Sequence, residues 1–262
     1  MTAKAGIKKL AEAATIRILG VPVQVLDMQG MLARMEAAMA APGCAVAYAV
    51  NAHTMNHTYK LPLYRNMLES ADIVYADGQS LLIAARLLGG KLPEKLTTTD
   101  VWPPACDLAE RKGYSFFLLG GEEGLAEKTV EVTLEKYPGL RFAGTHNGFF
   151  DIDDEGVIET INRAEPDILW VGMGEPRQFI WAEKHKHRLK ARLLVTCGGL
   201  FKFVSGEVKR APEKVHRSGF EWLYRSLREP KLIWRYLTGL PAFGFRVLAQ
   251  RFFGHREGNG KK

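Results

Sequence analysis

Cysteine is scarce in this chain: Cys44, Cys106 and Cys197 are the three among 262 residues, and they stand far apart with no CxxC pair. Neither a disulfide framework nor a cysteine zinc site is therefore expected, and a reducing cytoplasm suits the chain best. No run reaches the roughly eighteen apolar residues of a membrane-spanning helix, and residues 1–9 lack the apolar stretch of a signal peptide. The dinucleotide fingerprint G-x-G-x-x-G is missing, because neither Gly120-Gly121-Glu-Glu-Gly124 nor Gly172-Met-Gly174-Glu-Pro has its spacing, which disfavours a nicotinamide enzyme. Without G-x-x-x-x-G-K-[ST] there is no P-loop ATPase either. Internal repeats and low-complexity linkers are also absent.

What is present is a chain that is 47% hydrophobic, enough to bury a substantial core. Short apolar runs at 46–50, 73–75, 115–119, 141–144, 168–171 and 192–196 have the length of buried strands. Longer polar-periodic segments at 55–68, 79–88, 100–111, 124–137, 154–164 and 177–189 read as helices between or after them. That order predicts an α/β fold, a Rossmann-like parallel sheet with helices on both faces, whose ligands sit beyond the strand C-termini. Residues 16–27 read as a small hairpin ahead of the sheet, and 218–253 as two or three helices broken at Pro230 and Pro241.

Charge divides the chain unevenly. Residues 209–262 hold 13 Lys and Arg against 4 Asp and Glu, a net of +9, while the whole chain carries +7. Residues 1–208 are therefore slightly acidic. Trp222, Trp234, Phe245, Phe252 and other apolar residues are interleaved with the C-terminal cations, the composition of a helix lying on an anionic bilayer. We accordingly divide the chain into a ligand-binding domain, 1–208, and a basic amphipathic helical appendage, 209–262. A basic helical pair packed on the main domain explains the same composition, and nucleic acid would accept such a patch.

Reading the expected strand ends in order, Asn51 follows Ala-Tyr-Ala-Val with His53, Thr54 and His57 close behind. An amide there can clamp a sugar hydroxyl or a uracil edge, or simply cap the next helix. His53 and His57 have an i,i+4 spacing, but the sequence places no third metal ligand with them, so surface histidines are expected. Asp77, in Val-Tyr-Ala-Asp-Gly-Gln-Ser, is placed to take a proton from an acceptor hydroxyl; apolar neighbours would raise its basicity, and capping the following helix is its plainer use. Gly120 and Gly121 at a strand-to-helix junction could cradle phosphate, although Glu122 and Glu123 argue against a strongly anionic ligand. In 172–178, Gly172 and Gly174 allow close backbone approach and Gln178 can hydrogen-bond a base or sugar, whereas turn chemistry alone explains the glycines and Pro176 but not Gln178. Arg210, Arg217, Arg225, Arg228 and Arg235 suit a diphosphate, with a solvated helix face as the alternative.

These motifs, in order, carry a resemblance: Ala-Asp-Gly (76–78), Leu-Gly-Gly (119–121), Tyr-Pro-Gly-Leu (137–140), Asn-Gly-Phe-Phe (147–150), Pro-Asp-Ile-Leu-Trp-Val-Gly-Met-Gly-Glu-Pro-Arg-Gln (166–178), Gly-Gly-Leu-Phe (198–201), Ser-Gly (205–206), Arg-Ala-Pro (210–212), Glu-Trp-Leu-Tyr-Arg (221–225) and Glu-Pro (229–230). Over about residues 15–240 the chain resembles the WecG/TagA/CpsF glycosyltransferases, glycosyltransferase family 26. The resemblance implies an inverting, metal-independent enzyme without a cofactor. Its expected partners are a UDP-sugar donor, a polyprenyl-diphosphate-linked saccharide acceptor and the anionic inner face of the bacterial cytoplasmic membrane, where it would be peripheral. Self-association into a homo-oligomer would compete for the same apolar face, and no nucleic acid is expected. By position it implies Asp77 as base, Asn51 and Gln178 as substrate-binding groups, and arginines of the appendage, Arg225 and Arg235, brought over the site.

The chain departs from the family pattern at four places. Ala49 stands where Thr is frequent, leaving Thr54 as the substitute; Lys95, in Leu-Pro-Glu-Lys-Leu-Thr-Thr-Thr-Asp, replaces an Arg; Phe179 replaces an acid; Leu232 replaces an Arg. From these we expect a simple UDP-hexose such as UDP-glucose, used in exopolysaccharide synthesis, with UDP-N-acetylmannosamine-type donors as the alternative. Two rivals to an enzyme are a non-catalytic nucleotide-sugar-binding subunit and a basic RNA-binding protein; intact Asp77 and Gln178 favour the enzyme.

Overall fold

The computed structural model describes residues 14–212 and 231–254. Six parallel strands form one sheet in the order β4-β3-β8-β7-β5-β6: β3 (Ala45–Val50), β4 (Ile73–Ala76), β5 (Ser115–Gly120), β6 (Arg141–His146), β7 (Ile168–Gly172) and β8 (Leu193–Thr196). An antiparallel hairpin, β1 (Thr15–Ile18) and β2 (Val21–Gln24), precedes them as expected. Within the sheet, β3, β4, β5, β7 and β8 lack polar alternation because both faces are covered, whereas the edge strand β6 stays partly exposed. Val46, Tyr48, Val50, Phe117, Leu169 and Leu194 point into one core layer, and Ala45, Ala47, Ala49, Phe116, Trp170 and Val195 into the other.

The second layer holds a helix that the sequence reading does not predict, α1 (Met28–Met39). Its signal is local: Asp27 caps it by accepting from the Gly30 N–H at 2.7 Å, and Met31, Met35 and Met39 make a buried i,i+4 stripe. The helix expected over 55–68 is two, α2 (Ala52–Lys60) and α3 (Pro62–Glu69). Pro62 disfavours helical backbone in the residue before it, and Leu61 is extended at φ −132°, ψ 99°. The chain continues through α4 (Gln79–Leu87), α5 (Thr98–Lys112), α6 (Leu125–Leu134), α7 (Glu155–Ala164), α8 (Arg177–His185) and the short α9 (Leu200–Val204).

The break expected at Pro241 does not occur: α10 (Lys231–Phe253) runs through it as one helix. Proline removes one helical hydrogen bond, and contacts on both sides of it offset that cost. Asn56 donates to the Gly239 carbonyl at 2.8 Å, while beyond the proline Phe243 and Val247 are buried with the first core layer. Gln250 then accepts from the Leu19 N–H at 2.7 Å and donates to the Arg17 carbonyl at 2.9 Å. Pro230 lies outside the described residues.

Candidate active site

A cavity of about 430 Å³ opens at the C-terminal edge of β3, β4, β7 and β8. Its wall includes Asn51, Asp77, Lys95, Gly174 and Gln178, five of the residues singled out in the sequence, together with Ala49. The N-terminal turns of α2, α4, α5 and α8 all reach it. Their dipoles favour a ligand carrying negative charge, and α4 and α8 have no side-chain cap on their first N–H groups.

Asn51 leaves β3 with extended backbone and caps α2, its Oδ1 accepting from the N–H groups of His53 at 2.9 Å and Thr54 at 3.3 Å. The Thr54 hydroxyl accepts from the Asn51 N–H at 3.3 Å and donates to Glu175 Oε1 at 2.8 Å. Thr54 is fully buried and does not line the cavity; it ties the start of α2 to the loop after β7. The Asn51 oxygen is thus committed to the cap, and its NH2 is the group it can offer a ligand.

Asp77 follows β4, its N–H donating to the Val50 carbonyl at 2.8 Å, so the carboxylate sits beside the end of β3 and is half-buried. The N-cap of α4 is Gly78, not Asp77, so the capping role does not fall to this carboxylate. Gly78 has φ +124°, a conformation that L side chains rarely adopt, and it turns the chain sharply just past Asp77. Gln178, almost wholly buried, accepts from the Gly198 N–H at 3.1 Å and so joins the loops after β7 and β8.

The remaining candidates divide. Gly120, Gly121 and Gly172 are not on the cavity wall. They are packed against one another: a Cβ on Gly120 would lie 2.4 Å from the Gly172 carbonyl oxygen, and the Gly121 N–H donates to that oxygen at 3.2 Å. Arg210 pairs with Asp100 and donates to Thr97 Oγ1 at 3.5 Å, beside the wall but not in it. Arg217, Arg225 and Arg228 lie outside the described residues; Arg235 is in α10, its side chain outside the description.

Of the four departures, Ala49 and Lys95 line the cavity. Phe179 does not: it is fully buried and stacked between Tyr48, at 4.6 Å between ring centroids, and Tyr64, at 5.3 Å. Its replacement of an acid is a matter of core packing, and the sequence-based grouping of Phe179 with the substrate contacts is corrected accordingly. The side chain of Leu232 is outside the description.

The sequence reading missed three features of the wall. Thr97, Thr98 and Thr99 border it, ordered by the α5 cap, in which Thr97 Oγ1 accepts from the Asp100 N–H at 3.2 Å, and by a Thr98 bond to the Cys197 carbonyl at 3.4 Å. Their signal was a hydroxyl run beside Lys95. Tyr236, Gly239 and Leu240 of α10 line the cavity, whereas the family resemblance implies arginines of this appendage over the site and does not name these residues. Glu175 is a second carboxylate on the wall. It brings a third potential ligand to His53 and His57, which the spacing alone did not supply. Burial, with Lys60 adding to it, lowers the His57 pKa below the ordinary histidine value.

A doubly covered parallel sheet with a polar, carboxylate-bearing cavity at its strand C-termini defines an α/β protein of the Rossmann-like type with a candidate small-molecule site. More narrowly, the chain belongs to the "Glycosyl transferase WecG/TagA/CpsF family", whose model matches residues 16–257. Among its relatives, an N-acetylglucosaminyldiphosphoundecaprenol N-acetyl-beta-D-mannosaminyltransferase of Bacillus spizizenii is 31% identical over 187 residues, 71% of this chain and 72% of the relative. A protein of the same description from Staphylococcus aureus is 26% identical over 243 residues, 92% of this chain and 95% of the relative. None of the described helices is long and apolar enough to cross a membrane.

Proposed function

We propose that the protein is an inverting transferase that moves an N-acetylhexosamine from a UDP-sugar to a polyprenyl-diphosphate-linked saccharide in bacterial cell-surface polysaccharide synthesis, with no metal needed for the transfer step. The observation that carries this reading is Asp77, set at the end of β4 in a cavity ringed by four helix N-termini. Asp77 takes the proton from the acceptor hydroxyl; that oxygen attacks the anomeric carbon from the face opposite the leaving group; the bond to the diphosphate breaks and UDP leaves with the electron pair. Helix-terminal N–H groups, Lys95 and appendage arginines balance its charge. Glu175, the other carboxylate on the wall, is engaged by Thr54.

The N-acetylated donor follows the names of the relatives. The simple UDP-hexose and the exopolysaccharide setting expected from the sequence departures find no support there, and the packing of Phe179 removes part of their basis. Membrane docking is part of the same proposal. Trp234, Leu237, Phe245, Leu248 and Phe252 of α10 recur every three to eight residues on one exposed face, from 41% to 75% accessible, opposite the face that buries Phe243 and Val247. An apolar stripe over a cavity that takes a lipid-linked acceptor suits a peripheral enzyme on an anionic bilayer.

The test is transfer from a panel of labelled UDP-sugars, with EDTA present, to membrane extract containing lipid-linked saccharides. Label entering the organic phase from an N-acetylhexosamine donor is the expected result. Transfer from UDP-glucose alone overturns the donor assignment, and UDP binding without transfer from any donor points instead to a non-catalytic subunit.

A further inference from the structure

At the edge of the cavity, two histidines and a carboxylate converge from segments far apart in sequence. His53 and His57 come from successive turns of α2, and Glu175 from the loop after β7. One ligand atom from each lies within 4.8 Å of the others, the one such group of three among the described residues. We propose that His53, His57 and Glu175 form a binding site for a divalent transition-metal ion of the zinc class.

The histidine geometry fits an ion closely. The two Nε2 atoms are 3.2 Å apart. An ion about 2.05 Å from each nitrogen, the usual zinc–imidazole distance, would subtend an angle of about 100° between them, close to the tetrahedral value. The rings meet edge to face, with centroids 4.5 Å apart and planes at 78°, so the two nitrogens come together without the rings colliding. Without an ion, one Nε2–H donates to the other nitrogen. With the ion, that hydrogen gives way and each neutral ring carries its proton on Nδ1.

The carboxylate is oriented before any ion arrives. Glu175 Oε1 accepts from the Thr54 hydroxyl at 2.8 Å, and Thr54 is fixed in turn by the capping box with Asn51. A hydrogen-bonded carboxylate of this kind is the usual support of a metal ligand. All three residues are half-buried, and His53 and Glu175 also line the cavity. Three protein ligands leave a fourth tetrahedral position for water or a ligand oxygen. Bound there, the ion would lock the β7–α8 loop to the start of α2. The site is assigned no part in the transfer step proposed above.

The experiment titrates the EDTA-stripped full chain with Co²⁺ and reads the visible absorption of the ion, which is intense in tetrahedral and weak in octahedral coordination. One equivalent of tetrahedral Co²⁺, displaced by Zn²⁺, is expected. Affinity should fall at least about tenfold in His53→Gln, His57→Gln and Glu175→Gln, and about tenfold in Thr54→Val, which removes the supporting bond. A hundredfold excess of Zn²⁺ over Kd should raise Tm of the unaltered protein by about 5–10 °C. Absence of tetrahedral Co²⁺ in the unaltered chain overturns the proposal whatever the variants do. So does undiminished affinity in His57→Gln and Glu175→Gln, which would put the ion elsewhere. Neither readout depends on a sugar donor, so failure here and failure of the transfer assignment are separate results.

Discussion

Gln178 holds the Gly198 backbone N–H at 3.1 Å, a bond across 20 residues that joins the loops following two neighbouring strands, β7 and β8. The side chain that the motif offers as a substrate contact is therefore also a brace of the cavity wall. Replacing it by Leu keeps much of the volume and removes the acceptor. Gln178→Leu should cost about 1–2 kcal/mol, read as a fall in Tm of about 2–8 °C in thermal unfolding. An unchanged Tm would show that the brace carries no stability.

Asp77→Asn keeps the size of the side chain and removes its ability to accept a proton. Loss of a general base lowers turnover by roughly 10²- to 10⁴-fold. The expected outcome is that loss in the transfer assay with UDP binding and Tm preserved, and normal turnover would remove Asp77 from the mechanism.

Phe179, stacked between Tyr48 and Tyr64, supplies core packing away from the cavity. Phe179→Leu should lower stability by about 1–2 kcal/mol through lost area and imperfect filling. Measured by denaturant unfolding beside the donor panel, it should leave the order of donor preference unchanged. A reordered panel at this position would return Phe179 to the specificity determinants.

The exposed stripe of α10 can be tested without disturbing the core, because Phe245 is 75% and Phe252 71% accessible. Two large apolar side chains entering the interface contribute on the order of 3 kcal/mol. The double variant Phe245→Asp, Phe252→Asp should therefore bind anionic vesicles more than about tenfold more weakly. Sedimentation of both proteins without lipid shows whether the stripe instead joins two copies: a dimer lost in the variant, with vesicle binding unaffected, would assign it to self-association.

The parallel sheet was legible because each buried strand is a short apolar run, such as Ser115–Gly120 and Ile168–Gly172, followed by a helix-length segment. Asn51, Asp77 and Gly174 were legible for a related reason: a residue just past the end of a parallel strand faces the ligand side whatever the details of packing, and Gln178 follows in the first turn of the next helix, whereas Lys95 was marked only by the family pattern. Long-range competition decided the rest. Pro241 reads locally as a helix break, but Asn56 on one side and buried Phe243 and Val247 on the other hold α10 continuous. Phe179 sits beside Gln178 in sequence, yet successive helical positions point about 100° apart, so one braces the wall and the other fills the core.

The sequence by itself determined the fold class, the family and the strand ends at which chemistry gathers, because these follow from hydrophobic period and motif order, which are local. It also determined that His53 and His57 share a helix face, since four residues span about one turn. Only the tertiary structure decided that Glu175, more than a hundred residues later, meets them, that Gly120 is pressed against Gly172, and that Tyr236, Gly239 and Leu240 are the α10 residues lining the cavity. Those meetings depend on which strands lie side by side and which helix face is buried, and packing of the whole chain sets both.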